Sequence, residues 1–343
     1  MVNDLKEPLM AKPIKSKAPE PCLISVIASA PILTVNTDEG ETNTTETDNS
    51  TISSTENLSL DDQIDFVCQT FNLTLAAEYL ERYGYSDSDV WRSLPDDELE
   101  EELREAFILF QAKQEIAQTG IFDNATKHEM CIPRCDFPDI VTPKSSRVKR
   151  YKIGKERWDS GDFPLTVGFS DYSTRMGRQD QERAFMRAAD SWARVSGLSF
   201  KKGPARGSKI TIGFAHYDGP WGVLGKAWFP KTGRIVFENK ENWESKIPNR
   251  GGAQGSLAFY SVAMHELGHA LGISHSNVKN AIMHPQYQRD VVNLQNDDIR
   301  AITALYGSAG RGNRNNGGTN NNRNNRSGRN RNRNNKGRNN RRN

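Results

Sequence analysis

The chain has 343 residues, 35% of them hydrophobic, and 46 basic against 43 acidic side chains give a formal net charge of +3. Its mean hydropathy is −0.73. That length allows two modest domains, but the composition is too polar for one packed core throughout, and no apolar run reaches the roughly 18 residues that a membrane-spanning helix needs.

Taken from the N-terminus, residues 1–35 read as a leader. Lys12, Lys15 and Lys17 precede an apolar stretch from Cys22 to Val35, and Ala28-Ser29-Ala30 has the small side chains of a signal cleavage site, although Pro31 directly after it hinders a cut there. The competing reading is a disordered terminus with a sticky patch. Residues 36–60 are Thr, Ser, Asn, Asp and Glu, which cannot bury enough apolar surface to order themselves, and are expected to be a disordered linker. Glycosylation sequons at Asn43, Asn49, Asn57, Asn72 and Asn124 are compatible with export.

Residues 61–150 carry helical patterns. Ala76 to Tyr85 ends on the stop signal Gly84, and Leu99 to Ala117 has apolar side chains at Leu103, Ala106, Phe107 and Phe110, predicting one helix there. Cysteines occur only at Cys22, Cys68, Cys131 and Cys135. Pairing of Cys68 with Cys131 leaves Cys135 as a working thiol; pairing of Cys131 with Cys135 abolishes that role. The region closes with Pro133-Arg134-Cys135-Asp136-Phe137-Pro138-Asp139 and the basic cluster Arg147-Val148-Lys149-Arg150.

Residues 151–307 alternate strands and helices. Leu165 to Phe169, Ile210 to Phe214, Leu224 to Phe229 and Arg234 to Phe237 read as strands. Arg178 to Val195 reads as a helix burying Phe185, Ala188, Ala189, Trp192 and Val195. Asn296-Asp297-Asp298 is expected to cap a last helix that turns Ile299, Ile302 and Leu305 inward and stops at Gly307.

Within this region lies His265-Glu266-Leu267-Gly268-His269-Ala270-Leu271-Gly272-Ile273-Ser274-His275. On a helix His265 and His269 share a face, while Glu266 projects about 100° further round. Gly272 suits a positive-φ helix end that turns the chain back and brings His275 in as a third ligand. Three ligands leave one position open, as a catalytic zinc requires. Such a metal brings the pKa of its water down toward roughly 7, and Glu266 is placed to act as general base. His128, His216 and His284 lack this spacing and read as surface or packing histidines.

This pattern, with Ala281-Ile282-Met283-His284-Pro285 matching a methionine turn, resembles the metzincin metalloproteases and, among them, the matrix metalloproteinases over about residues 76–307. The resemblance implies an α+β catalytic domain, a twisted five-stranded mixed sheet with three helices, preceded by a small helical prodomain. It implies catalysis by Glu266, zinc on His265, His269 and His275, and support from Met283 beneath the metal. It also implies a cysteine switch in which Cys135 ligates the zinc in the latent form. Asp136 departs from the family's glycine, and its charge beside Glu266 is expected to make latency leakier. Arg147 to Arg150 resembles a furin-type convertase site, with activation cleavage after Arg150. A substrate peptide would add a strand to the sheet edge near Val223 to Ala227, and Pro285-Gln286-Tyr287 matches the wall of the specificity pocket.

Lys226 and Val236 stand where two histidines of the family's structural zinc would be, and His216 with Asp218 cannot close that site, so one zinc is expected. Asp218, Glu238 and Glu241 match acidic positions of a family calcium site. The family-implied partners are extracellular matrix protein substrates and tissue inhibitors of metalloproteinases. No hemopexin-like domain is expected.

Residues 308–343 are almost wholly Asn, Arg and Gly, with eleven basic residues and no acidic one. This disordered tail would attract polyanions, glycosaminoglycans in an exported protein. The expectation is therefore a secreted, latent zinc endopeptidase. The rival is an inactive protease fold that binds polyanions through its tail.

Overall fold

The structure is a computed structural model, and it describes residues 59–86, 90–140, 157–245 and 255–310. The leader, nearly all of the 36–60 linker, the Arg147 to Arg150 motif and the tail beyond residue 310 lie outside the described residues. No helix among the described residues is long and apolar enough to cross a membrane.

Five helices form the first body: α1 Leu60–Thr70, α2 Leu73–Arg82, α3 Asp96–Glu102, α4 Arg104–Gln114 and α5 Asn124–Cys131. Their starts are written locally. Ser59 makes a capping box with Asp62, Asn72 accepts from the Leu75 N–H, and Asp123 accepts from the Thr126 N–H; such caps each contribute about 1 kcal/mol. The single helix expected over 99–117 is two helices. The chain departs from helical geometry at Leu103 (φ −88°, ψ −2°), and α4 ends at Glu115, whose left-handed φ of 57° closes a C-terminal cap before Ala117. The break leaves Leu99, Leu103, Phe107 and Phe110 all buried, packed with Leu80, Tyr83 and Met130. A Cys68–Cys131 disulfide ties α1 to α5 and leaves Cys135 as a free, buried thiol, which resolves the two pairings open in the sequence.

The second body is built on a six-stranded sheet in the order β1-β5-β6-β4-β2-β3. Its strands are β1 Arg134–Cys135, β2 Leu165–Phe169, β3 Phe200–Lys202, β4 Ile210–Ala215, β5 Val223–Ala227 and β6 Arg234–Glu238. The five strands β2 to β6 are parallel except for β5, which is antiparallel to β6. The sixth, β1, comes from the end of the helical body and pairs parallel with β5, so the sheet edge expected to receive substrate is filled by the chain's own residues. A separate pair, β7 Trp243–Glu244 with β8 Leu257–Ala258, stands beside the sheet.

Helices α6 Arg178–Val195, α7 Phe259–Ala270 and α8 Asn296–Tyr306 complete this body. Trp192 of α6 is buried and donates its indole N–H to Met264 O of α7 at 3.0 Å, while Ile210, Ile212, Ile235 and Phe237 fill the sheet side of the core. Every residue of α7 is buried. An all-round buried helix shows no polar stripe, and of its two histidines His265 lines the cleft. Residue Gln295 caps α8, in a capping box with Asp298 rather than at Asn296, and Ile302 and Leu305 are buried while Ile299 and Val195 are half-buried at its margin.

Candidate metal centre and cleft

Four of the residues singled out in the sequence converge. The ligand atoms of Cys135, His265, His269 and His275 all lie within 4.8 Å of one another, the one such group of metal-binding side chains among the described residues. Helix α7 carries the first two histidines one turn apart. Gly272, at φ 98°, turns the chain back as expected and delivers His275.

The hydrogen bonds of these rings fix their tautomers. Ile282 O accepts from His265 Nδ1 at 2.7 Å, Ile273 O accepts from His269 Nδ1 at 2.7 Å, and the Asp139 carboxylate accepts from His275 Nδ1 at 2.9 Å. Burial pushes the His265 pKa down to about 3 and lowers those of His269 and His275, so the rings are neutral and each Nε2 carries a lone pair. The Nε2 atoms of His265 and His269 face each other at 3.1 Å, and buried His275 Nε2 has no hydrogen-bond partner. Two lone pairs at that distance repel and a third buried one is unsatisfied; a cation among them answers both, and the Nδ1 partners are the kind that orient metal-bound imidazoles. The residues present therefore fit a soft-to-borderline divalent ion such as zinc.

Glu266 is fully buried next to this group. Both of its oxygens lack a partner of hydrogen-bond geometry, and burial, partly offset by the neighbouring Cys135 thiol, pushes its pKa up to about 8. The Cys135 thiol is pushed up in turn by burial and by Glu266. Beside them, Gly225 of β5 leaves room for the acid: a Cβ there would come within 3.1 Å of Glu266 Cγ and Oε1. Met283 packs against Gly268 of α7, where an added Cβ would overlap its sulfur. The turn that carries it is held by the Asp298 carboxylate, which accepts from Ile282 N (2.9 Å) and Met283 N (3.0 Å).

The segment from Pro133 to Asp136 runs through the cleft. Arg134 N donates to Gly222 O (3.0 Å) and Asp136 N to Gly225 O (2.9 Å) on one side; Cys135 N donates to Pro285 O (3.1 Å), and Pro133 O accepts from Tyr287 N (2.8 Å), on the other. Below it a cleft of about 360 Å³, counting its open mouth, is lined by Leu224, Val262, His265, Pro285, Tyr287 and Val291 among others. His284 also lines it and is buried. His128 and His216 are exposed.

Residues without an assigned role in the sequence reading hold this segment in place. Arg134 and Asp139 form a bidentate ion pair (2.7 and 2.9 Å) that is buried on both sides. Burial opposes ionisation of Asp139, but Arg134 and His275 hold its carboxyl well below the usual range. The Arg134 guanidinium also stacks 3.5 Å over Tyr83 and donates to Tyr79 Oη (2.7 Å), and Phe137 stacks on His269 with centroids 4.6 Å apart. Their signal in the sequence is an Arg and an Asp bracketing a lone Cys at short spacing, which by itself carries no geometry.

Asp136, expected from its charge beside Glu266 to loosen latency, is held by two cations. It does feel the charge of Glu266, yet it accepts from Arg82 Nε on α2 at 2.6 Å and from Lys226 Nζ on β5 at 2.6 Å. Although burial works against ionisation, these two cations hold its pKa below the ordinary value. Both contacts are charge-assisted and so favour the ionised carboxylate. Lys226 is thus engaged with Asp136, and Val236 is buried in the sheet.

Asp218, Glu238 and Glu241 lie together around β5 and β6, with their oxygens directed mainly at backbone N–H groups: Asp218 at Val223, Glu238 at Tyr217 and Lys240, Glu241 at Trp221. Burial raises Asp218 to about 6 and Glu241 well above the ordinary value, and one Glu241 oxygen is unpartnered.

The matrixin family profile matches residues 157–307, and a profile described as a peptidoglycan binding domain matches residues 72–130. The chain is 33% identical over 265 residues to matrix metalloproteinase-C of Caenorhabditis elegans, covering 71% of this chain and 44% of that protein. It is 34% identical over 248 residues to the hatching enzyme of Paracentrotus lividus, covering 69% and 39%. The metalloendoproteinase 4-MMP of Arabidopsis thaliana is 32% identical over 252 residues, covering 67% of this chain and 71% of its own length. The chain thus spans less than half the length of the first two relatives and 71% of the third. It belongs to the matrixin family of metalloproteinases, with a matrixin catalytic domain preceded by a helical domain of the prodomain type.

Proposed function

We propose that the chain is a zinc-dependent endopeptidase made as a latent zymogen, with His265, His269 and His275 as zinc ligands, Cys135 as the fourth ligand of the latent form and Glu266 as general base. The observation that carries this reading is the convergence of three imidazole lone pairs, each fixed by an Nδ1 partner, on the buried thiol of a segment lying in the cleft. When bound, zinc supplies Lewis acidity to the scissile carbonyl and to the attacking water. Removal of the segment 133–139 frees both the fourth position and the edge of β5. A substrate main chain then takes over the hydrogen bonds to Gly222 O, Gly225 O and the 285–287 segment, adding a strand. Glu266, brought into contact with solvent, accepts a proton from the attacking water and passes it to the departing amine nitrogen. The 285–287 wall and Leu224 bound the pocket for one substrate side chain.

Activation by cleavage after Arg150, secretion, cleavage of extracellular matrix or other secreted proteins, and recognition by tissue inhibitors of metalloproteinases belong to the same proposal. So do the boundaries 61–150 and 151–307 for its two domains and glycosaminoglycan binding by the basic tail. A calcium ion at Asp218, Glu238 and Glu241 belongs to it on the family resemblance, although their ligand atoms do not converge as those of the histidine group do. The deciding experiment is hydrolysis of a generic quenched peptide by the processed protein. Activity lost on chelation, restored by zinc and abolished in Glu266→Ala supports the reading; activity indifferent to chelation removes it. An inactive protein that binds polyanions through its tail would cut nothing.

A further inference from the structure

Lys226 sits on β5, the edge strand along which a peptide must lie, and its ammonium is 2.6 Å from the Asp136 carboxylate. Asp136 occupies that strand as an added-strand residue does: its N–H donates to Gly225 O at 2.9 Å and its neighbour Cys135 stands in register with Gly225. Among the described residues Asp136 is the one carboxylate within ion-pair distance of Lys226. Processing removes Asp136 together with its other partner, Arg82, and leaves Lys226 facing the emptied groove. The ammonium lies 5.8 Å from the Trp228 ring, and the Arg234 guanidinium lies 5.1 Å from the same ring, so this stretch of the edge carries two cations. Asp218, on the preceding turn, spends its oxygens on Val223 N, and Glu266 packs against Gly225, the residue before Lys226.

We infer that Lys226 is a specificity-determining residue of the processed enzyme and selects a substrate with an acidic side chain at the place Asp136 holds in the latent form. The inference rests on the endopeptidase reading. In the latent chain the carboxylate of Asp136 stands in for that of a substrate. The residues lining the pocket include Leu224 and not Lys226, so the acidic position is distinct from the one that fills the pocket. Lys226 is partly solvated, and a substrate without an acid leaves it hydrated rather than buried and unpaired. The preference is therefore graded, roughly two- to fivefold in kcat/KM, the range of a partly exposed ion pair.

The test uses enzyme processed from the full chain and quenched peptides in which Asp, Asn and Lys are placed in turn at each of the three residues on either side of the cut bond. At one position outside the pocket, Asp is expected to exceed Asn by roughly two- to fivefold, the ratio to fall to about one in Lys226→Gln, and Lys to replace Asp as the preferred residue in Lys226→Glu. Rising salt should shrink the Asp preference of the parent, as screening requires. Efficient, chelator-sensitive cleavage with no Asp preference at any position, or a preference that survives both substitutions, overturns the inference while leaving the protease intact. Failure to cut any peptide overturns the endopeptidase reading and this inference with it.

Discussion

Replacing Asp136 by Asn in the full-length chain should loosen latency, the opposite of what its charge suggested in the sequence. The carboxylate is 7% exposed and accepts from Arg82 (27% exposed) and Lys226 (38% exposed), each at 2.6 Å. A hydrogen bond to a charged group contributes about 1.5–3 kcal/mol when well buried, and a solvent-exposed pair about 0.2–1 kcal/mol; these two, with one buried end and one wet end, fall between. The Lys226 contact crosses from the prodomain to the catalytic domain and is lost whenever the switch segment lifts. The Arg82 contact lies within the prodomain and counts only as far as the segment also leaves α2. A closed-state contribution of about 1–2 kcal/mol follows, and since 1.4 kcal/mol is tenfold, the open population should rise roughly 5- to 30-fold in Asp136→Asn and less in Lys226→Gln. Because Arg82 and Lys226 reach solvent, neither is left buried and unpaired, so no further penalty is added. The assay is the alkylation rate of the buried Cys135 thiol in the intact chain, followed by peptide mass spectrometry, with Arg150→Ala preventing processing. An unchanged rate would refute the clamp, and a slower one would restore the view that Asp136 strains the latent peptide.

Other expectations follow from the same geometry. Arg134→Ala removes the partner of buried Asp139, and because breaking a buried pair costs about 3–5 kcal/mol, the intact chain should become reactive at Cys135 and hydrolyse peptides without cleavage; a zymogen that stays silent in both assays counts against the role given to this pair. In the processed enzyme Glu266→Gln should lower kcat by roughly 10²–10⁴ while bound zinc, measured by elemental analysis, stays near the parent level; parallel loss of metal would assign Glu266 a structural role instead. Gly268→Ala drives a methyl group into the Met283 sulfur, and overpacking of about 1–3 kcal/mol should appear as a lower midpoint in chemical denaturation. Metal analysis of the processed protein should give one zinc per chain, because Lys226 and Val236 offer no imidazole; two would show a second site assembled from other residues.

Much of the site was legible along the chain because its chemistry is local. A one-turn spacing of His265 and His269, a left-handed glycine at Gly272 and a third imidazole at His275 are consequences of helix geometry and of glycine's freedom at positive φ, and the strands read at Leu165 to Phe169 and Ile210 to Phe214 announce themselves by composition. Helix α7 itself carried no amphipathic stripe, because it is buried on all sides, so only its ligand motif marked it. What the tertiary structure alone decided are the contacts between residues far apart in sequence. Asp136 meets Arg82 and Lys226 across separations of 54 and 90 residues, and His275 meets Asp139 across 136. From the sequence, a carboxylate beside a catalytic glutamate reads as repulsion. The sign changes once folding brings two cations to within hydrogen-bond reach, since Coulomb energy depends on distance in space and on local dielectric, neither of which the order of residues contains.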